Sequence, residues 1–144
     1  MLVLYYQLSH GQALQQGLEA RNVEARLLSG RHPPEHRRAI IQELVEGDVQ
    51  VIVASTIFTK GINVPELEAI VNAAGWKSAQ DVAQKMGRGM RRKKTGENRV
   101  VIVDPFDLGS RILTHHSEAR QKLYESRGFP VRRGPLDSLD DGLR

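Results

Sequence analysis

The chain has 144 residues, 40% hydrophobic and 26% charged, with a formal charge of +4 at pH 7 and a pI near 9.7. That is the size and balance of one globular domain with a real core. No apolar run nears the roughly 20 residues of a membrane-spanning helix and no leader pattern follows Met1, so a membrane or secreted protein is not expected. The absence of cysteine removes disulfides and thiolate metal sites without identifying a compartment; a cytoplasmic or nucleoid-associated location is the default.

In chain order, Leu2–Tyr6 is a first apolar run rich in strand-forming residues, followed by a helical period marked by Leu14, Leu18 and Val23. Glu24–Leu28 reads as the second strand. After "HPPEHRR", Ile40, Ile41, Leu44 and Val45 recur at helical spacing until Gly47 supplies a stop. The run Val49–Ala54 is apolar at almost every position, which suits a strand covered on both faces of a parallel sheet. Ala69–Ala73 and Arg99–Asp104 complete five expected strands.

A third helical segment starts near Ser78, a suitable N-cap, and contains Val82 and Met86; a longer one covers Leu108 to about Arg127, ended by Gly128, Phe129 and Pro130. This alternation of strand and helix predicts an α/β fold with a parallel sheet flanked by helices. Ligands of such folds sit at the carboxyl ends of the strands, which draws attention to "QLSHG", "SGRHPP", "STIFTKGINVP", "AGWKS" and "PFDLG". The expected organisation is a core over 1–107, a helix over 108–130 packing on or near it, and a polar tail over 131–144. The abrupt start inside a strand suggests a piece of something longer.

Several chemistries are disfavoured. The segment "GMRRKKTG" contains Lys94–Thr95, but no glycine precedes the lysine, and neither a phosphate-binding loop nor a dinucleotide fingerprint follows a strand. His32 and His36 are four apart, yet two prolines intervene and no third metal ligand is obvious. Ser55 lacks a nucleophile elbow. Asp104 and Asp107 read as turn or cap residues before a paired-carboxylate site.

The stretch "AQKMGRGMRRKKTG" carries more information. Six of the ten residues from Lys85 to Lys94 are basic. On a helix Gln84, Arg88 and Arg91 stand at i, i+4 and i+7 and share a face. Gly87 and Gly89 each cost ~1 kcal/mol relative to alanine inside a helix, so they either end it or admit a close approach to the backbone. By itself the stretch fits a solvated face, a polyanion patch or an arginine-based phosphate site.

Upstream, Ser55–Thr56 and "KGINVP" form a loop at the carboxyl end of a buried strand. Taken with "LVLYYQLSHGQALQQGL", "LLSGRHPPEHRRAIIQELVEGDVQVIVAS", "TKGINVPELEAIVNA" and "SAQDVAQKMGRGMRR", the order of segments resembles the second, carboxyl-terminal RecA-like domain of superfamily 2 helicases over about residues 1–107. Gln84, Gly87, Arg88 and Arg91 match motif VI of that family. Ala54–Ser55 and Gly61-Ile62-Asn63-Val64-Pro65 match motif V, with Asn63 where aspartate is usual and Ser55 where threonine is usual. Between the first strand and motif V fall Gly30, Arg37, Leu44 in place of the usual aromatic, and Gly47.

The resemblance implies that Arg88 and Arg91 reach the γ-phosphate of ATP held on a partner domain, Arg91 serving as arginine finger, with Gln84 placing the nucleotide and Gly61 and Asn63 lining the cleft. Asn63 can hydrogen-bond a ribose hydroxyl but brings no charge. Gly30, Ser55 and Thr56 would face nucleic-acid phosphates, while Arg37 is equally a structural or a strand-contacting arginine. ATP with Mg²⁺ would be bound mainly by the amino-terminal RecA-like domain, absent from this chain, so the isolated chain is expected to lack ATPase activity. The glutamine-first motif VI and "GINVP" favour DNA over RNA. A stand-alone nucleic-acid-binding module without nucleotide chemistry is the competing reading.

Overall fold

The computed structural model describes residues 1–55, 67–75 and 101–135. Its strands are β1 (Leu2–Tyr5), β2 (Ala25–Leu28), β3 (Val51–Ser55), β4 (Ala69–Val71) and β5 (Val101–Val103), and its helices α1 (Leu8–Glu19), α2 (Pro34–Glu46) and α3 (Arg111–Ser126). All strand pairs are parallel, in the order β2-β3-β1-β4-β5. The two central strands β1 and β3 are buried at every position, as the unbroken apolar run in β3 predicts.

Alternation along the strands divides the core into two layers. Val3, Tyr5, Val51 and Val53 point to one face, where Leu8, Leu14 and Leu18 of α1 and Val23 of the following turn cover them. Leu2, Leu4, Leu28, Ile52, Ala54 and Ile70 point to the other, under Ile40, Ile41 and Leu44 of α2. The chain runs outward from β1 to β2 on the α1 face and back to β3 on the α2 face. Reversing direction and face together keeps both crossovers the same hand, as parallel connections require.

Gly11 sets how closely α1 approaches the sheet. A Cβ at Gly11 would stand 2.7–2.8 Å from the ring of Tyr5, whose side chain is buried and donates its hydroxyl hydrogen to the Leu28 carbonyl at 3.3 Å. Glycine thus has a steric reason here that helix propensity opposes.

Two helix boundaries differ from expectation. α2 begins inside "HPPEHRR", because Pro33 takes the N-cap position and Pro34 the first turn, where a missing N–H costs nothing. Its other end is as expected: Gly47 adopts φ +87° and its N–H meets the Glu43 carbonyl. α3 starts at Arg111 after Ser110, three residues beyond Leu108, which is 83% exposed. The helix expected from Ser78 lies outside the described residues. Among the described residues no helix is long and apolar enough to cross a membrane.

Candidate functional site

The parallel sheet gathers the carboxyl ends of its strands along one edge. Leu28 pairs with Ala54 and Tyr5 with Ser55, so the turn after β2 and the end of β3 leave the sheet side by side. This juxtaposes two of the expected phosphate-facing positions, Gly30 and Ser55.

Within the β2 turn the polar groups are largely turned inward. Ser29 is 7% exposed; its carbonyl accepts the His32 N–H at 3.1 Å and its hydroxyl accepts the Arg31 N–H at 3.3 Å. The Ser29 N–H donates to His32 Nδ1 at 3.3 Å. Gly30 remains exposed at the tip, where a backbone can approach without a side chain intervening.

Pro33 and Pro34 begin α2 instead of separating the two histidines: the His32 and His36 rings meet edge to face with centroids 4.8 Å apart. Burial first, then the charges of His36 and Arg37, holds the His32 imidazole below its ordinary pKa. No group of three or more metal-ligating side chains exists among the described residues. Arg37 stands half-buried in the first turn of α2, its N–H bonded to the Pro33 carbonyl at 3.1 Å. Ser55 is 7% exposed and closes β3. The remaining expected site residues, Thr56, Gly61, Asn63, Gln84, Arg88 and Arg91, lie outside the described residues.

At the opposite end of the same edge is a cluster that sequence reading misses. Asp104, expected as a turn or cap residue, is the acceptor of a buried network. Arg120 of α3, 1% exposed, donates from Nε to Oδ2 at 2.8 Å and from Nη2 to Oδ1 at 2.9 Å. Tyr124, one turn further along α3, donates its hydroxyl hydrogen to Oδ2 at 2.6 Å. Asn72, immediately after β4, donates from Nδ2 to Oδ2 at 3.0 Å. Asp107 is held separately, its N–H on Ser117 Oγ and its carbonyl on the Thr114 hydroxyl.

Burial, with the Asp104 carboxylate beside it, pushes the Tyr124 phenol far above its ordinary pKa. Tyr124 also packs with Ile102, Leu123 and Phe129, so α3 is bound to β5 by apolar and charged contacts together. Only the spacing of Ser117, Arg120 and Tyr124 on one helical face hints at this in the sequence.

A five-stranded parallel sheet with helices on both faces, aligning its loops along the carboxyl edge, is the RecA-like architecture found in helicase motors. The chain belongs to the helicase conserved C-terminal domain family, whose profile matches residues 3–93. It resembles the DNA 3'-5' translocase XPB2 of Sulfurisphaera tokodaii, with 34% identity over 59 residues, 41% of this chain and 13% of that protein. It resembles the ATP-dependent RNA helicase RhlB of Vibrio cholerae, with 27% identity over 81 residues, 56% of this chain and 18% of that protein.

The chain thus spans less than a fifth of the length of these curated relatives. Among solved structures, the C-terminal domain of the DEAD-box protein Dbp5 superimposes with a TM-score of 0.73 at 19% identity, covering 99% of this chain and 78% of that one. Escherichia coli SrmB, bound to regulator of ribonuclease activity A, gives 0.72 at 21% identity, covering 96% and 75%. These likenesses establish the fold.

Proposed function

We propose that this chain is the second RecA-like domain of an ATP-dependent nucleic-acid helicase or translocase. The observation that carries the reading is the family match over residues 3–93, which encloses the motif VI residues Gln84, Gly87, Arg88 and Arg91. In this reading ATP and Mg²⁺ are bound mainly by an amino-terminal partner domain. Arg88 and Arg91 approach the γ-phosphate across the cleft, Gln84 orients the nucleotide, and Gly61 and Asn63 line the same cleft. Phosphoryl transfer spreads negative charge over the transferring group, and a guanidinium placed against it is worth about 10³ to 10⁵ in rate in comparable enzymes.

In this reading nucleic acid crosses the carboxyl edge of the sheet at the β2 turn and the end of β3, with backbone N–H groups and hydroxyls of Gly30, Ser55 and Thr56 assigned to phosphates. Contacts of this kind follow the backbone and do not select sequence. DNA is the proposed substrate, on the glutamine-first motif VI, "GINVP" and the likeness to XPB2. RNA is the second reading, favoured by the likeness to RhlB.

The test is ATP turnover of this chain joined to its phosphate-binding-loop domain. Arg91→Ala is expected to lower turnover about 10³-fold or more with an unchanged melting temperature. A large loss of melting temperature with near-normal turnover makes Arg91 structural and sinks the assignment. Stimulation of turnover by single-stranded DNA against RNA of equal length separates the two substrates. The isolated chain is expected to show no turnover.

A further inference from the structure

We infer that His32 is a positioning residue for nucleic acid: its unprotonated Nδ1 closes the turn that presents Gly30, and a proton there opens the turn and weakens the grip on phosphates. The inference rests on the reading of Gly30 as a phosphate-facing residue.

Three hydrogen bonds converge on Ser29. Its carbonyl accepts the His32 N–H at 3.1 Å, its hydroxyl accepts the Arg31 N–H at 3.3 Å, and its own N–H donates to His32 Nδ1 at 3.3 Å. His32 thus satisfies both backbone groups of a residue that is 7% exposed, while Gly30 between them stays exposed. Pro33, the N-cap of α2, disfavours helical backbone at the residue before it and keeps His32 in the turn. Of the three bonds only the one to Nδ1 involves a titrating group, and a neutral imidazole that accepts there carries its proton on Nε2.

Protonation makes that acceptor a donor. Two N–H groups then face each other and the buried Ser29 N–H loses its partner, a cost that a rearranged turn avoids. The first turn of α2 brings Glu35, His36 and Arg37 to this end. Of these, His36, edge to face at 4.8 Å, and Arg37 act on the ring, and both oppose a further positive charge. The closed turn and the charged ring therefore exclude each other. An added charge alone would tighten binding to a polyanion, so a latch and a direct phosphate contact predict opposite signs.

The two-domain protein is titrated with dye-labelled oligo(dT), or oligo(U) if RNA is the substrate, and affinity is read by anisotropy. From about pH 7.5 to about 5.5, one unit either side of the ordinary imidazole value, affinity is expected to fall about threefold to tenfold, the scale of one net hydrogen bond. His32→Asn, whose Oδ1 replaces Nδ1 as an acceptor that does not titrate, is expected to keep the neutral-pH affinity within about twofold and lack that fall. His32→Ala is expected to bind about threefold to tenfold more weakly already at neutral pH. The remaining histidines titrate alike in all three proteins, so the parent is compared with His32→Asn.

Should His32→Asn not fold, nitrogen NMR of the parent decides: an Nε2–H tautomer with Ser29 amide protection lost as His32 titrates supports the latch, and an Nδ1–H tautomer overturns it. Superimposable pH profiles for the parent and His32→Asn, or a parent affinity that rises on acidification relative to that variant, overturn this inference alone, provided that Gly30→Glu weakens binding. Unchanged binding by a folded Gly30→Glu protein overturns both it and the reading beneath it.

Discussion

Replacing Arg120 by alanine is expected to be among the most destabilising single changes in the chain. Its side chain is 1% exposed and makes charge-assisted hydrogen bonds from Nε and Nη2 to a carboxylate side chain that is itself 12% exposed. Truncation leaves the Asp104 carboxylate charged and poorly solvated, facing the neutral donors Tyr124 and Asn72. Breaking a buried pair in this way costs about 3–5 kcal/mol, a large part of the roughly 5–15 kcal/mol that holds a domain together. For a chain of this size that corresponds to a fall in melting temperature of roughly 10–20 °C.

The Arg26–Glu43 pair offers an internal comparison. Its N–O distance is a similar 2.9 Å, but its side chains are 45% and 34% exposed, so Arg26→Ala is expected to cost at most about 1 kcal/mol. Urea denaturation of the chain followed by circular dichroism measures both. Arg120→Met with Asp104→Asn is expected to recover about 1 kcal/mol or more of the loss, since the stranded charge is gone while acceptors for Tyr124 and Asn72 remain. An Arg120→Ala protein melting within about 2 °C of the parent refutes the reasoning.

Gly11→Ala is expected to destabilise by about 1–3 kcal/mol despite alanine's better helix propensity, because its Cβ meets the Tyr5 ring at 2.7 Å; a gain in melting temperature contradicts the close contact. At alkaline pH, Tyr5 and Tyr124 resist ionisation in the folded state, so their contribution is complete below the ordinary phenol pKa of 10.0 and is lost as pH rises through their raised values. Tyr124→Phe therefore gives a shallower alkaline decline in stability, measured by denaturation between pH 9 and 11 (about one unit either side of the phenol value). For His32 the sign is opposite: its lowered pKa makes its contribution present above the ordinary 6.5 and lost as pH falls through the folded value. His32→Gln should flatten the acid limb, and an unchanged limb argues against the partial burial of the ring.

The amino-acid sequence by itself determined the five strands, the alternation with helices and the family, because apolar period and glycine punctuation are local properties of the chain. The nearly unbroken apolar run Val49–Ala54 announces a strand covered on both faces, and Gly47 announces the end of α2. The motif VI spacing carries the functional reading by resemblance. Boundaries were less legible: the paired prolines at 33 and 34 read as an interruption, yet they open the helix because the first turn has no use for their missing N–H groups.

Tertiary structure alone decided the order of the strands, the glycine required over Tyr5, and that Arg120, among the described lysines and arginines, lies in the interior. Arg120 is indistinguishable from a surface arginine by local pattern, since its partner Asp104 is sixteen residues away in sequence and belongs to another element. A charge enters a protein core only where a second charge and enough hydrogen bonds meet it. Here the packing of α3 on β5 supplies both, and Asn72 at the end of β4 completes them.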